Sequence, residues 1–201
     1  MGQSLDVQNI QIMKSFTTNA RLCTGLLFCS LMLGSLSING QVIKKTVEEM
    51  THDSRTIVYG QCTHIESSWD NNQERIYTEI RVQAAEYLKG AKGSVITITI
   101  PGGRVGNIMY EVSDMPAFAE GEEFVAFLSD HSSGRNLVTG AVQGKLKVYK
   151  DANTGVRLIN RPVKEEPSAK KSASIYDEST QKKEVIPLHE FLAEIQAYLG
   201  Q

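Results

Sequence analysis

Apolar and polar positions alternate along much of the chain, most clearly between Glu74 and Leu128. Ile76, Thr78, Ile80, Val82 and Ala84 form one series, interleaved with Tyr77, Glu79, Arg81 and Gln83. A strand sends successive side chains to opposite faces, so this spacing predicts a strand with one buried and one wet face. Val95 to Ile100 repeats the pattern, with Ile96, Ile98 and Ile100 on one side. Leu88 to Gly93 holds two glycines and is the predicted turn between these strands. Pro101-Gly102-Gly103 ends the second strand, because proline lacks a donor and glycine admits positive φ. Phe124 to Leu128 is apolar throughout, as expected of a central strand covered on both faces, and Ala119 to Glu122 is the polar corner before it.

The same reading places a strand at Thr56–Glu66, where Gly60 in mid-strand implies a bulge or a close neighbour. Ser67 to Glu74 then reads as a polar loop carrying Trp69, the one tryptophan. Further strands are expected at Asn136–Ala141, Lys145–Lys150 and Val156–Ile159, with loops at 129–134 and 151–155. Helical spacing marks two other segments. Over Val42–Asp53, Ile43, Val47 and Met50 share a face. Over Val185–Leu199, Leu188, Leu192, Ile195 and Leu199 do so, widened by Phe191 and Tyr198, with Pro187 tolerated in the first turn. So broad an apolar face is expected to dock back on the strands. The predicted fold is mainly β: a small antiparallel OB-like, partly open β-barrel over residues 41–162, with a short N-terminal helix and a C-terminal amphipathic helix over 185–201. Residues 163–184 are rich in Lys, Glu and Ser and read as a flexible polar linker.

The N-terminal region changes the picture of where the protein works. Met13-Lys14 and Arg21 precede an apolar run, Leu22 to Leu36, followed by Ser37 and Gly40. Residues 13–40 have the layout of a secretory signal peptide, and 1–12 read as a mis-annotated start ahead of it. The run is shorter than the about 20 residues a membrane span needs. An exported protein, periplasmic or extracellular and without membrane association after cleavage, is the expectation. Asp6 departs from a myristoylation signal, and Phe28 before Cys29 departs from a lipoprotein signal.

With 201 residues the chain can build one domain with a core. A net charge of −2 and 7% aromatic residues argue against a nucleic-acid partner, which calls for basic surplus and stacking platforms. Of the three cysteines, Cys23 and Cys29 lie in the expected signal peptide and Cys62 stands alone. A core without disulfide staples is therefore expected.

Candidate chemistry is sparse. Cys62 and His64 are two apart on one predicted strand and so should share a face, the one arrangement that suggests a thiol nucleophile with a base. The plainer reading of Cys62 is a buried structural thiol. His189-Glu190 begins a zinc-protease motif that Ala193 breaks. Asp151, Asn153 and Gly155 echo a calcium loop, but Pro162 stands where its closing acid belongs, which favours a hairpin turn. Gly102-Gly103-Arg104-Val105-Gly106 follows a strand as a phosphate loop would, yet lacks the GK[ST] ending and leads into NIMYEV, a predicted strand. A flexible barrel corner is the simpler reading, and its functional version lets a partner's backbone come close. Trp69, Tyr77 and Tyr110 are candidate contact residues, with core packing the alternative for each. The candidate binding set is Trp69, Tyr77, Gly102, Gly103 and Arg104. No catalytic residue, metal or cofactor is expected.

Taken together, several segments resemble a family of uncharacterised exported bacterial domains, some of which precede matrixin-type metalloproteases. They are Thr56–Glu66 with Gly60, Ser68-Trp69-Asp70, Arg75-Ile76-Tyr77-Thr78, Tyr87-Leu88-Lys89-Gly90, Ile100-Pro101-Gly102-Gly103 with Gly106, Ala117-Phe118, Gly121-Glu122-Glu123-Phe124-Val125-Ala126-Phe127-Leu128, and Gln143-Gly144-Lys145-Leu146. The likeness spans about residues 45–150 and lends no catalytic residue. The strand–LKG–strand order is more remotely similar to the netrin-like OB-fold barrel of the tissue inhibitors of metalloproteinases. Those inhibitors act through an N-terminal cysteine and several disulfides, which this chain lacks. The expected function is an exported non-catalytic interaction module for a protein or envelope polymer. The alternatives are a regulator or accessory domain of a secreted metalloprotease and an enzyme using Cys62.

Overall fold

A computed structural model of the protein describes residues 43–163 and 183–200. The expected start at 1–12, the signal peptide at 13–40 and most of the expected linker, 164–182, lie outside these residues. The strands are β1 (Thr56–Trp69), β2 (Ile76–Lys89), β3 (Val95–Pro101), β4 (Gly103–Val105), β5 (Ile108–Tyr110), β6 (Glu123–Asp130), β7 (Asn136–Val138), β8 (Lys145–Lys150), β9 (Arg157–Pro162) and β10 (Lys183–Pro187). Among the described residues two helices flank them, α1 (Val47–Asp53) and α2 (Leu188–Leu199), and a 3-10 turn over Ala141–Gly144 separates β7 from β8.

The apolar run in β6 sets the architecture. One edge of β6 pairs with β1, from Thr56↔Leu128 to Gln61↔Glu123. It also pairs with β8 through Glu123–Ala126 and with β7 through Leu128–Asp130, as the two halves of one interrupted neighbour. The circuit β1-β2-β3-β7-β6-β1 closes a five-stranded OB-like barrel, and β8, β9 and β10 extend the sheet beyond it. Its weak seam is β3–β7, a parallel contact at Ile98↔Asn136 alone. Side chains reinforce it: Asn136 Nδ2 donates to the Thr97 carbonyl at 2.8 Å, and Lys92 Nζ reaches Asp130 at 2.6 Å and Asn136 at 2.8 Å. The barrel is therefore partly open.

Two cores share β6. Phe124, Ala126 and Leu128 point into the barrel, with Val58, Cys62, Ile80, Val82, Ile96 and Ile98. Val125 and Phe127 point the other way, against Val47, Met50, Phe191, Leu192 and Ile195 of the helices. Helix α2 docks on the sheet as its apolar face required, and Arg161 pins it there. This guanidinium reaches Glu194 of α2 at 3.0 Å and Glu184 of β10 at 2.7 Å, while the Tyr198 hydroxyl donates to Glu194 at 2.9 Å.

Several boundaries differ from the sequence reading. Helix α2 begins at Leu188, not Val185, because Val185–Pro187 pair with β9. β-branched residues ahead of a proline favour extended backbone, and Pro187 then precedes the first helical turn. Lys183 and Glu184, placed in the linker, belong to the same strand. Helix α1 starts at Val47, leaving Ile43 61% exposed, because Thr46 and Glu49 form a capping box that fixes the first turn. β1 runs on to Trp69, β7 stops at Val138, and β9 covers 157–162 instead of 156–159. Gly60 meets the expectation of a close neighbour: a Cβ there would lie 2.5 Å from the Gln83 carbonyl oxygen, beside a break in the β1–β2 register.

Because Phe127 is fully buried between sheet and helices, Phe127→Ala should lower the urea-unfolding free energy by about 3–5 kcal/mol. A loss no larger than that of an exposed substitution would show that the helical layer does not depend on β6.

Candidate functional site

The far end of β1, the start of β2 and the end of β3 meet at one end of the barrel, where Trp69 pairs with Ile76, Ser68 with Tyr77, and Tyr77 with Pro101. The chain leaves β3 through Gly102 and Gly103 into a hairpin, β4–β5, turned by Gly106-Asn107. The expected flexible corner is thus a short antiparallel ribbon. Its seat is specific. The Gly102 N–H donates to the Ile76 carbonyl at 2.8 Å, and the buried Thr78 hydroxyl donates to the Gly102 carbonyl at 2.7 Å. Ser67 Oγ lies 2.8 Å from that hydroxyl. A Cβ on Gly103 would sit 2.3 Å from Thr78 Oγ1 and 2.4 Å from Ser67 Oγ, at φ +138°, so no side chain fits there. The two glycines serve the hairpin's seat and do not themselves face outward as contacts.

The hairpin projects apolar side chains into solvent. Ile108 is 53%, Met109 62% and Tyr110 47% exposed. Arg104 stands across the ladder from Met109 and is exposed, its Nε donating to the Gly106 carbonyl at 3.3 Å. Among the described residues no carboxylate lies within ion-pair distance of Arg104. Trp69 is half-buried at the end of β1. Tyr77 is half-buried too, and the Arg135 guanidinium stacks over its ring at 4.3 Å. The structure therefore brings Trp69, Tyr77, Gly102, Gly103 and Arg104 to one end of the barrel. Ile108 and Met109 were missed as site residues. The available signal was a glycine-asparagine turn followed by three apolar residues beyond two glycines.

The Cys62–His64 pair does not form. The register steps from Cys62↔Val82 to His64↔Arg81, so Thr63 is an extra residue on β1. A bulge of one residue reverses the side-chain alternation. Cys62 consequently turns into the barrel, 1% exposed, and His64 turns outward to lie 3.2 Å from Glu120. Burial pushes the Cys62 thiol up. Asp151 accepts from the backbone of Asn153 and Thr154 at 3.0 and 2.7 Å, the plain hairpin turn expected. Among the described residues no three His, Cys, Asp or Glu side chains are grouped to hold a metal ion.

One buried charged pair lies next to β6. Lys145 Nζ is 2.7 Å from Glu122 Oε2, with the two side chains 10% and 8% exposed. The ammonium also donates to the Ala117 carbonyl at 2.8 Å and stands over the Phe118 and Phe124 rings. Burial alone would raise the Glu122 carboxyl. The hydrogen bond and charge of Lys145, the Ala119 N–H and Lys147 outweigh it and hold the group below its ordinary 4.5. Glu122 accepts from Lys145 and from the Ala119 N–H, and Lys145 also donates to the Ala117 carbonyl, so the pair ties the 117–122 loop to β8. Comparison of the chain with protein-family models, with curated proteins and with solved structures finds no match.

Gly103→Ala should cost at least about 1–3 kcal/mol in unfolding free energy, through forbidden backbone and displaced hydroxyls. Gly106→Ala, with open space around its Cβ, should cost less, which comparative thermal melts would show. Glu122 binds its proton less readily folded than unfolded. Its contribution to stability is therefore complete above pH 4.5 and fades as pH falls through the lowered folded value. Glu122→Gln should remove that part of the acid slope and cost about 3–5 kcal/mol at neutral pH, measured by denaturation across a pH series.

Proposed function

We propose that the protein is an exported, non-catalytic interaction module that binds a partner protein at the end of the barrel carrying the β4–β5 hairpin. The observation that carries this reading is the pairing of a closely seated base with an apolar, solvent-facing ribbon. Ser67, Thr78 and Ile76 hold Gly102 and Gly103 in place, and the ribbon beyond them exposes Ile108, Met109 and Tyr110. Three adjacent exposed apolar side chains contribute nothing to the two cores and cost solvation, which is the usual mark of a contact surface. Trp69 and the Tyr77–Arg135 stack supply a half-buried aromatic rim at the same end. The separation of Cys62 from His64 by the Thr63 bulge favours a binding role over thiol chemistry. Export rests on the signal-like segment at 13–40.

A photo-crosslinking side chain placed at Met109 or Tyr110 in the full chain should give discrete protein adducts in the exported fraction. The same group at exposed Lys150 on β8 should not. Equal labelling from both positions, or none from the hairpin, would remove the hairpin as the contact surface.

A further inference from the structure

We infer that β5 is an acceptor edge, taking an extended segment of a partner protein as a third strand of the β4–β5 ribbon; this rests on the hairpin being the contact surface. β5 pairs with β4 and with no other strand among the described residues. In an antiparallel ladder each residue directs its N–H and C=O together toward one neighbour, and consecutive residues alternate. The Tyr110 carbonyl oxygen lies on the β4 side, where a Cβ on Gly102 would come within 2.7 Å of it. The N–H and C=O of Met109 therefore point the other way, toward the open edge. Met109 is also the most exposed of the three side chains. An unpaired main-chain donor and acceptor flanked by apolar side chains is what strand addition uses: the backbone supplies affinity and alternate side chains supply selectivity.

The composition of the edge selects the occupant. A second copy of this chain paired through β5 would bury no more than a few hundred Å² around three residues, well short of the about 1,200 Å² of a stable interface. A flexible peptide depends less on area, because main-chain hydrogen bonds contribute directly. Arg104 shares a ribbon face with Met109 and has no carboxylate within ion-pair distance among the described residues. The incoming strand therefore has an acidic side chain on the Arg104 face and apolar ones on the face shared by Ile108 and Tyr110. The short β5 makes the contact weak and selective, in keeping with a reversible partner.

The test starts from the full chain and a phage-displayed pool of random ten-residue peptides. Selected peptides should alternate apolar residues and carry Asp or Glu. The synthetic form of the best one should slow amide exchange at the 107–111 backbone. Met109→Pro removes the outward N–H together with the side chain and should weaken that peptide at least about tenfold, whereas Met109→Leu, which changes the side chain and keeps the N–H, should bind as the parent does. Arg104→Glu should abolish the preference for acidic peptides. Ile108→Ser with Tyr110→Ser tests the underlying surface separately. If that double variant loses the peptide while Met109→Pro retains it and no β5 amide is protected, strand addition fails and the hairpin surface stands. If both variants bind every selected peptide as the parent does, both ideas fail. A concentration-dependent dimer in sedimentation, lost in Met109→Pro, would assign the edge to a second copy and overturn the peptide.

Discussion

The burial of β6 on both faces is the constraint on which the rest of the molecule depends. Five consecutive residues, Phe124 to Leu128, are fully inaccessible. Alternate side chains of a strand leave on opposite sides, so such a run is stable only between two apolar layers. The barrel supplies one layer and the helices the other. Closure of β1 on β6, the docking of α2, and the seating of α1 beneath it all follow from that need. Even the polar attachments of the helical layer serve it. Arg161 ties α2 to β9 and β10, and Lys89 Nζ caps the last carbonyls of α1 from β2, reaching Thr51 and His52 at 2.8 and 3.0 Å.

The long β1–β2 ribbon solves a different problem, that of bending a sheet far enough to close. Register steps at Ile57/Val58, Tyr59/Gly60 and Cys62/His64 distribute the bend along it. The last of these also decides the fate of the cysteine. One extra residue at Thr63 rotates the chain so that the thiol fills the barrel and the imidazole meets solvent and Glu120. Curvature and chemistry are thus set by one local irregularity.

At the end of the barrel away from the helices the same economy shapes the surface proposed for binding. Gly103 lets the hairpin backbone approach Ser67 and Thr78, and Gly102 lets it approach the Tyr110 carbonyl, more closely than any other residue would allow. The ribbon is thereby held by its base and left bare at its tip. Rigid support with an exposed short strand suits recognition of another chain, because little ordering cost remains to be met on binding. The Glu122–Lys145 pair holds the loop after the hairpin in the same manner, so both ends of the 102–122 connection are anchored.

The sequence by itself determined the strand faces and the apolar stripe of α2, through their periodicity, and the doubly covered β6, through a short unbroken apolar run bounded by polar turns. Ile76, Ile80, Val82, Ile96 and Ile98 lie inside as their spacing required, and Leu188, Phe191, Leu192 and Ile195 cover the sheet. A glycine-rich corner after β3 marked the place where the hairpin sits, and Trp69, Tyr77 and Arg104 gather there. What periodicity cannot encode is register, since a single inserted residue such as Thr63 changes every face beyond it while leaving the composition unchanged. Only the tertiary structure parted Cys62 from His64. It also drew Val185–Pro187 into a strand by offering β9 as a partner, and left Ile108, Met109 and Tyr110 exposed because no layer of the described residues reaches them. Burial depends on what arrives from elsewhere in the chain, and a local pattern carries no record of that.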